Sequence, residues 1–156
     1  MLDLRRAACL AAVLGVVVFA ACDGDDGSTE EYAKRLDRVC TAVERELREL
    51  DSTRVESPGE TAALIDEVIA KSRQLPRRVK AIDPPEGDDG EVADRFVRTL
   101  EREVENDAVP ALEDLRDAVS RGDQAAAARA GDRLRGLDNS KSDRYARELG
   151  ADACAS

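Results

Sequence analysis

The groups that could do chemistry in this 156-residue chain are 34 Asp and Glu carboxylates, four cysteines and a small number of lysines and tyrosines; histidine and tryptophan do not occur. Without an imidazole there is no Ser-His-Asp or Cys-His pair, no imidazole metal ligand and no proton switch of ordinary pKa near neutrality. Carboxylates can work in pairs as acid and base on a glycosidic bond, but a sugar site usually also needs aromatic platforms. The aromatics after residue 22 are Tyr32, Phe96 and Tyr145, all at helical spacings that point to a core. Asp23-Gly24-Asp25-Asp26-Gly27 has the composition of a calcium loop, yet it fails the EF-hand spacing and no glutamate closes it. No glycine-rich phosphate loop occurs, and no methionine follows residue 22 to serve haem or copper as an axial ligand. The expectation is therefore no catalytic residue, no cofactor-binding residue and no metal site: a protein that is not an enzyme. A net charge of −10 argues against nucleic acid, whose affinity comes largely from Lys and Arg on phosphates. The one basic cluster, Arg77-Arg78-Val79-Lys80, suits the C-terminal part of a helix, with lipid phosphates as its alternative partner.

The cysteines carry the more specific signal. Arg5 and Arg6 precede an apolar run from Ala7 to Ala21, which is too short for the roughly 20 residues of a membrane helix. A basic start, a short apolar middle and small residues at its end are the parts of a secretory signal peptide. Val18-Phe19-Ala20-Ala21-Cys22 resembles the lipobox of bacterial lipoproteins, with Phe19 where leucine is commonest. That resemblance implies cleavage after Ala21, acylation of Cys22, and a mature protein held by lipid on the outer face of the cell membrane. Two or three acyl chains anchor stably where one is marginal. The acidic, glycine-containing segment that follows reads as a tether through residue 29, and seven extended residues reach about 23 to 25 Å. The expected organisation is a cleaved leader over residues 1–21, the lipidated cysteine and tether over 22–29, and one domain over 30–156.

Given that leader and anchor, Cys9 is discarded and Cys22 acylated, which leaves Cys40 and Cys154 in an oxidising compartment. A disulfide between them is the expected pairing. It closes a loop of about 115 residues, worth about 4.7 kcal/mol in the chain-entropy model before any strain. No Cys-x-x-Cys occurs to suggest a redox role.

The elements that must carry these groups are helical. Tyr32, Leu36, Val39, Val43, Leu47 and Leu50 recur at spacings of three and four and share one face. Ser28 with Glu31, Ser57 with Glu60 and Asp88 with Glu91 each fit a capping box. A second helix carries Leu64 to Ile82 and contains Pro76, which should kink it near residues 72–75. A third runs from the Gly87–Gly90 loop to Gly122 with Pro110 inside, predicting a kink over 106–109. The alanine-rich stretch 124–137, with Ala127, Ala130, Leu134 and Leu137 inward, should form a fourth. A last short helix is expected over 143–149, with Ser140 as its cap and Gly150 as its stop. Short loops between four main helices predict an all-α, antiparallel up-down four-helix bundle with proline-kinked helices. Leu, Ile, Val and Phe number only 25 in the 135 residues from Cys22 onward, so the bundle should be narrow and alanine-packed.

Together, the lipobox, the acidic tether, the first helix with Cys40 and the ending Glu148-Leu149-Gly150 before Cys154 resemble small helical lipoproteins of actinobacteria. That likeness implies fold, anchor and disulfide, and no activity. The functional expectation is a surface-anchored, non-enzymatic interaction module for an envelope protein or other envelope partner, with the membrane engaged through Cys22. The alternative is a carrier holding a small apolar or cationic ligand between its kinked helices.

Overall fold

The apolar stripes and caps find their places in a computed structural model, which describes residues 28–155. The expected leader, Cys22 and the tether through Gly27 lie outside the described residues. Helix α1 spans Thr29–Asp51 and α2 spans Pro58–Lys80. The third leg is α3 (Gly87–Arg102), a π-helical turn (Glu103–Ala108) and α4 (Val109–Ser120) in unbroken succession. The fourth is α5 (Gln124–Arg135) and α6 (Ser140–Glu148), followed by a 3₁₀ turn over Asp152–Cys154. No strand occurs among the described residues, and the all-α helical bundle is as the periodicity predicts.

Local chemistry sets the boundaries. At α2 the capping box is complete: the Ser57 hydroxyl accepts from the Glu60 amide, and the Glu60 carboxylate accepts from the Ser57 amide. At α1 only half forms. Ser28 accepts from the Glu31 amide, while the Glu31 carboxylate turns to Arg35 and Arg38. The expected Asp88/Glu91 box does not form: α3 starts earlier, at Gly87, and lacks a side-chain cap, leaving Asp88 and Asp89 in its first turn where the helix dipole favours them. Gly90 is fixed by space, because a Cβ there would lie 2.4 Å from the Pro85 carbonyl oxygen. The last helix also starts earlier than expected, at Ser140, with Asn139 in the cap position and the Asp138 carboxylate receiving the Ser140 amide. Gly150 ends it at φ +76°, which lets the Ala151 amide reach back to the Ala146 carbonyl at 2.8 Å.

Ion pairs report the directions of the legs. Lys80 meets Glu101, Arg73 meets Glu105, and Asp66 meets Arg116, so numbers fall along α2 as they rise along the third leg. These legs are antiparallel. The fourth leg folds back on the third, with α5 against α4 and α6 against α3. The C-terminal tail closes on α1: the Ala153 amide donates to Asp37 Oδ1, and the sulfurs of Cys40 and Cys154 are bonded, 1.99 Å apart.

The apolar interior forms two clusters. One gathers Tyr32, Leu36, Val79, Phe96 and Leu149 around buried alanines at the end where α1 and α3 begin. The other gathers Ile65, Ile69, Val104 and Val109 beside Leu112 and Leu115. Leu100 packs against both. Alanine lets the helices approach closely here, as at Ala93, Ala118 and Ala146, each at most 1% exposed.

Candidate ligand cavity between the two cores

Three legs depart from regular α-helical bonding. In α2, Pro76 has no N–H to give to the Ser72 carbonyl, although the helix continues through it. In the third leg the expected kink takes the form of the π-turn: the Val109 amide donates to the Val104 carbonyl, five residues back, immediately before Pro110. Widening the turn gives the pyrrolidine ring room that an α-helix denies it. In the fourth leg the helix expected over 124–137 stops at Arg135, and residues 136–139 separate α5 from α6.

These irregularities converge. A cavity of about 210 Å³ is bordered by Ser72 and Leu75 of α2, by Glu103 and Ala108 of the π-turn, and by Leu137 and Asn139 of the fourth-leg break. Val43 and Leu47 of α1 form its apolar wall, with Ser142 and Asp143 of α6 and Cys154 of the tail completing the rim. The two apolar clusters meet at this level through Leu100, which also borders the space.

The polar side chains of the lining are Ser72, Glu103, Asn139, Ser142 and Asp143. Glu103 is only 8% exposed, and its Oε2 is enclosed with no hydrogen-bond partner. Leaving one buried acceptor atom unsatisfied costs about 1–3 kcal/mol. Cations of α2 are committed to other acids: Arg73 to Glu105 and Glu113, Lys71 and Arg78 to Glu46, Lys80 to Glu101. The Ser142 hydroxyl donates to the Asn139 carbonyl at 3.0 Å. Asp143 has a largely buried side chain and meets Arg147 at 3.7 Å.

A recess of about 230 Å³ near Tyr32 and Ile82 differs in character, because its charges are matched within its own wall: Lys80 with Glu101 and Arg98 with Asp94. Burial, and then the nearby Asp94 carboxylate, push the Tyr32 hydroxyl up to about 12.

The residues singled out by sequence fall as follows. Cys22 lies outside the described residues. Cys40 and Cys154 are joined with their Cα atoms 5.3 Å apart, and Cys154 borders the cavity. The basic cluster is largely spent on helix pairing, since Arg78 meets Glu46 and Lys80 meets Glu101, with Arg77 exposed. Among the described residues no group of three or more His, Cys, Asp or Glu could hold a metal ion, and no helix is long and apolar enough to cross a membrane. Glu103 was not singled out by sequence among so many acids. Its signal was position: it stands three residues after Leu100 and seven after Phe96, on the apolar stripe of its own helix.

Comparison with known proteins found no matching family model, no matching curated protein and no matching solved structure.

Proposed function

We propose that this chain is an exported lipoprotein, acylated at Cys22, whose helical bundle acts as a non-enzymatic binding module on the outer face of the cell membrane, of the kind seen in the small actinobacterial lipoproteins it resembles. The observation that carries this reading is the sequence around Cys22: a basic start and short apolar run end at a cysteine six residues before Ser28, the N-cap of α1. In this reading the end of the bundle that holds Ser28 and residues 81–86 lies nearest the membrane. The 52–57 loop and the 121–123 turn face outward, about 35 Å away by the length of a 23-residue helix. The surface available to an envelope protein there carries the exposed Asp51, Arg54, Glu56, Arg121 and Asp123, of which Arg54 and Glu56 meet at 3.9 Å. Metabolic labelling with a palmitate analogue tests the anchor. Label incorporated by the natural protein and lost in Cys22→Ser supports it, and equal labelling of both overturns it. Crosslinking in membranes followed by pull-down tests the partner, and the lack of any reproducible crosslink counts against an interaction module.

The carrier reading has its own supporting observation, the largely buried Glu103 side chain on an apolar-walled cavity beside the π-turn.

A further inference from the structure

We infer that the recess bordered by Tyr32 and Asp94 binds a small zwitterion with an aliphatic side chain, of the size and charge pattern of a free α-amino acid, at a site separate from the cavity beside the π-turn. The decisive group is the Tyr32 hydroxyl. Tyr32 is only 3% exposed and borders the recess, and its hydroxyl makes no hydrogen bond to any described residue. Its oxygen is nonetheless accessible, because Glu103 Oε2 is the only unpartnered side-chain oxygen or nitrogen sealed from solvent among the buried and half-buried described residues. A largely buried phenol therefore opens its free O–H to whatever fills the recess. Burial and the nearby Asp94 carboxylate keep that proton in place to about 12, so the group is a donor at neutral pH.

The charges around it come in both signs. Helix α3 supplies Asp94, Arg98 and Glu101, and the end of α2 supplies Lys80. A singly charged ligand meets repulsion as well as attraction from this set, whereas a zwitterion can use all four groups. These groups also have capacity to spare. Arg98 and Asp94 stand 3.8 Å apart, beyond hydrogen-bond distance, with more than half of each side chain exposed. Lys80 gives one of its three N–H donors to Glu101, at 3.0 Å. Exposed pairs of this kind are worth little by themselves, so they yield readily to a ligand that bonds both partners. The ligand's carboxylate takes the Tyr32 O–H with Arg98 and Lys80 as its countercharges, and its ammonium meets Asp94 and Glu101. Such charge-assisted bonds are the strong ones.

The rest of the lining sets the side chain and the size. Ile82, Pro84 and Val97 give the recess an aliphatic side. A cavity of about 150 Å³ holds benzene, so one of about 230 Å³ takes a ligand a few heavy atoms larger, which suits valine. The groove bordered by Arg121, Arg129 and Arg133 lacks the corresponding feature, since every charged group on it is exposed and no buried polar group opens into it.

Isothermal calorimetry on the full-length protein in detergent micelles tests the inference, with three probes that share one aliphatic group: L-valine, isobutylammonium, which lacks the carboxylate, and isovalerate, which lacks the ammonium. The expected result is saturable binding of L-valine at least about tenfold tighter than either singly charged probe. Tyr32→Phe, which removes only the hydroxyl, should weaken L-valine about three- to tenfold. Arg98→Gln should also weaken it and narrow its margin over isobutylammonium. Affinity for either singly charged probe equal to that for L-valine would overturn the inference, as would the absence of saturable heat from L-valine up to roughly 10 mM. Unaltered L-valine binding in Tyr32→Phe would overturn it too. If Tyr32→Phe no longer melts cooperatively, Arg98→Gln decides, because that side chain is exposed and its loss leaves the core intact. Weaker L-valine binding in that variant supports the site, and undiminished binding overturns it.

Discussion

The Val109 amide bonds to the Val104 carbonyl rather than to that of Glu105, and the π-turn to which this bond belongs, Glu103–Ala108, makes room for Pro110. A π-turn is equivalent to one inserted residue, so it can be removed. Deleting Asn106 while keeping Pro110 should force the ring against the preceding turn at about 3 kcal/mol, lowering the melting temperature by roughly 10 °C. Deleting Asn106 together with Pro110→Ala should restore most of that loss. Thermal melts followed by circular dichroism distinguish the two, and equal melting of both deletions would show that Pro110 is not what the π-turn serves.

The Cys40–Cys154 bridge ties the tail to α1 in a bundle with a thin apolar interior. The double variant Cys40→Ala/Cys154→Ala should lose about 2–4 kcal/mol, read as a fall in melting temperature of roughly 10 °C. Amide exchange should rise first at Ala153, whose N–H bonds to Asp37. A melt that coincides with that of the bridged protein would contradict this.

Glu46 accepts from Arg78 and from Lys71, which hold its carboxyl near 2, well below the ordinary 4.5. The folded chain therefore releases this proton more readily than the unfolded one. Its contribution to stability is complete above pH 4.5 and disappears as pH falls toward 2. Glu46→Gln should destabilise the protein at pH 7 and make the melting temperature less sensitive to acid across that window. Parallel slopes for both proteins would rule out Glu46 as a contributor.

Tyr32 keeps its proton in the fold to about 12 against an ordinary 10, because ionising it means placing charge in the apolar end of the bundle near Asp94. The unfolded chain loses that proton first, so stability should fall as pH rises from 10 to 12. Tyr32→Phe should flatten this alkaline decline and remove the phenolate absorbance that develops near 12 in the natural protein. The same alkaline decline in both proteins, with no phenolate absorbance near 12 lost in Tyr32→Phe, would refute it.

Much of this architecture was legible because periodicity and capping act locally. Tyr32, Leu36 and Val43 are buried as their spacing predicts, and the Ser57/Glu60 box forms as written. Leu47 is only half-buried because it faces the cavity. What could not be read is decided by competition between distant groups. The Glu31 carboxylate had a cap and two arginines to choose from, and the arginines won. Pro110 announced an irregularity, but whether a helix answers a proline with a kink or with a wider turn depends on what packs beside it. Glu103 was hidden by composition, since one acid on an apolar stripe draws little notice in so charged a chain. The cavity depends on legs two, three and four being irregular at one height, a relation that no single segment encodes.

The bridge between residues 40 and 154 also makes the domain a covalent ring. A protease that clips the exposed 52–57 loop once, or any other single peptide bond between the two cysteines, opens the ring without releasing a fragment. Both pieces stay joined through sulfur to the segment that leads back to residue 22. Separating the domain from its N-terminal segment therefore requires either a cut before Cys40 or a reductant, and a single cut in the 52–57 loop releases nothing.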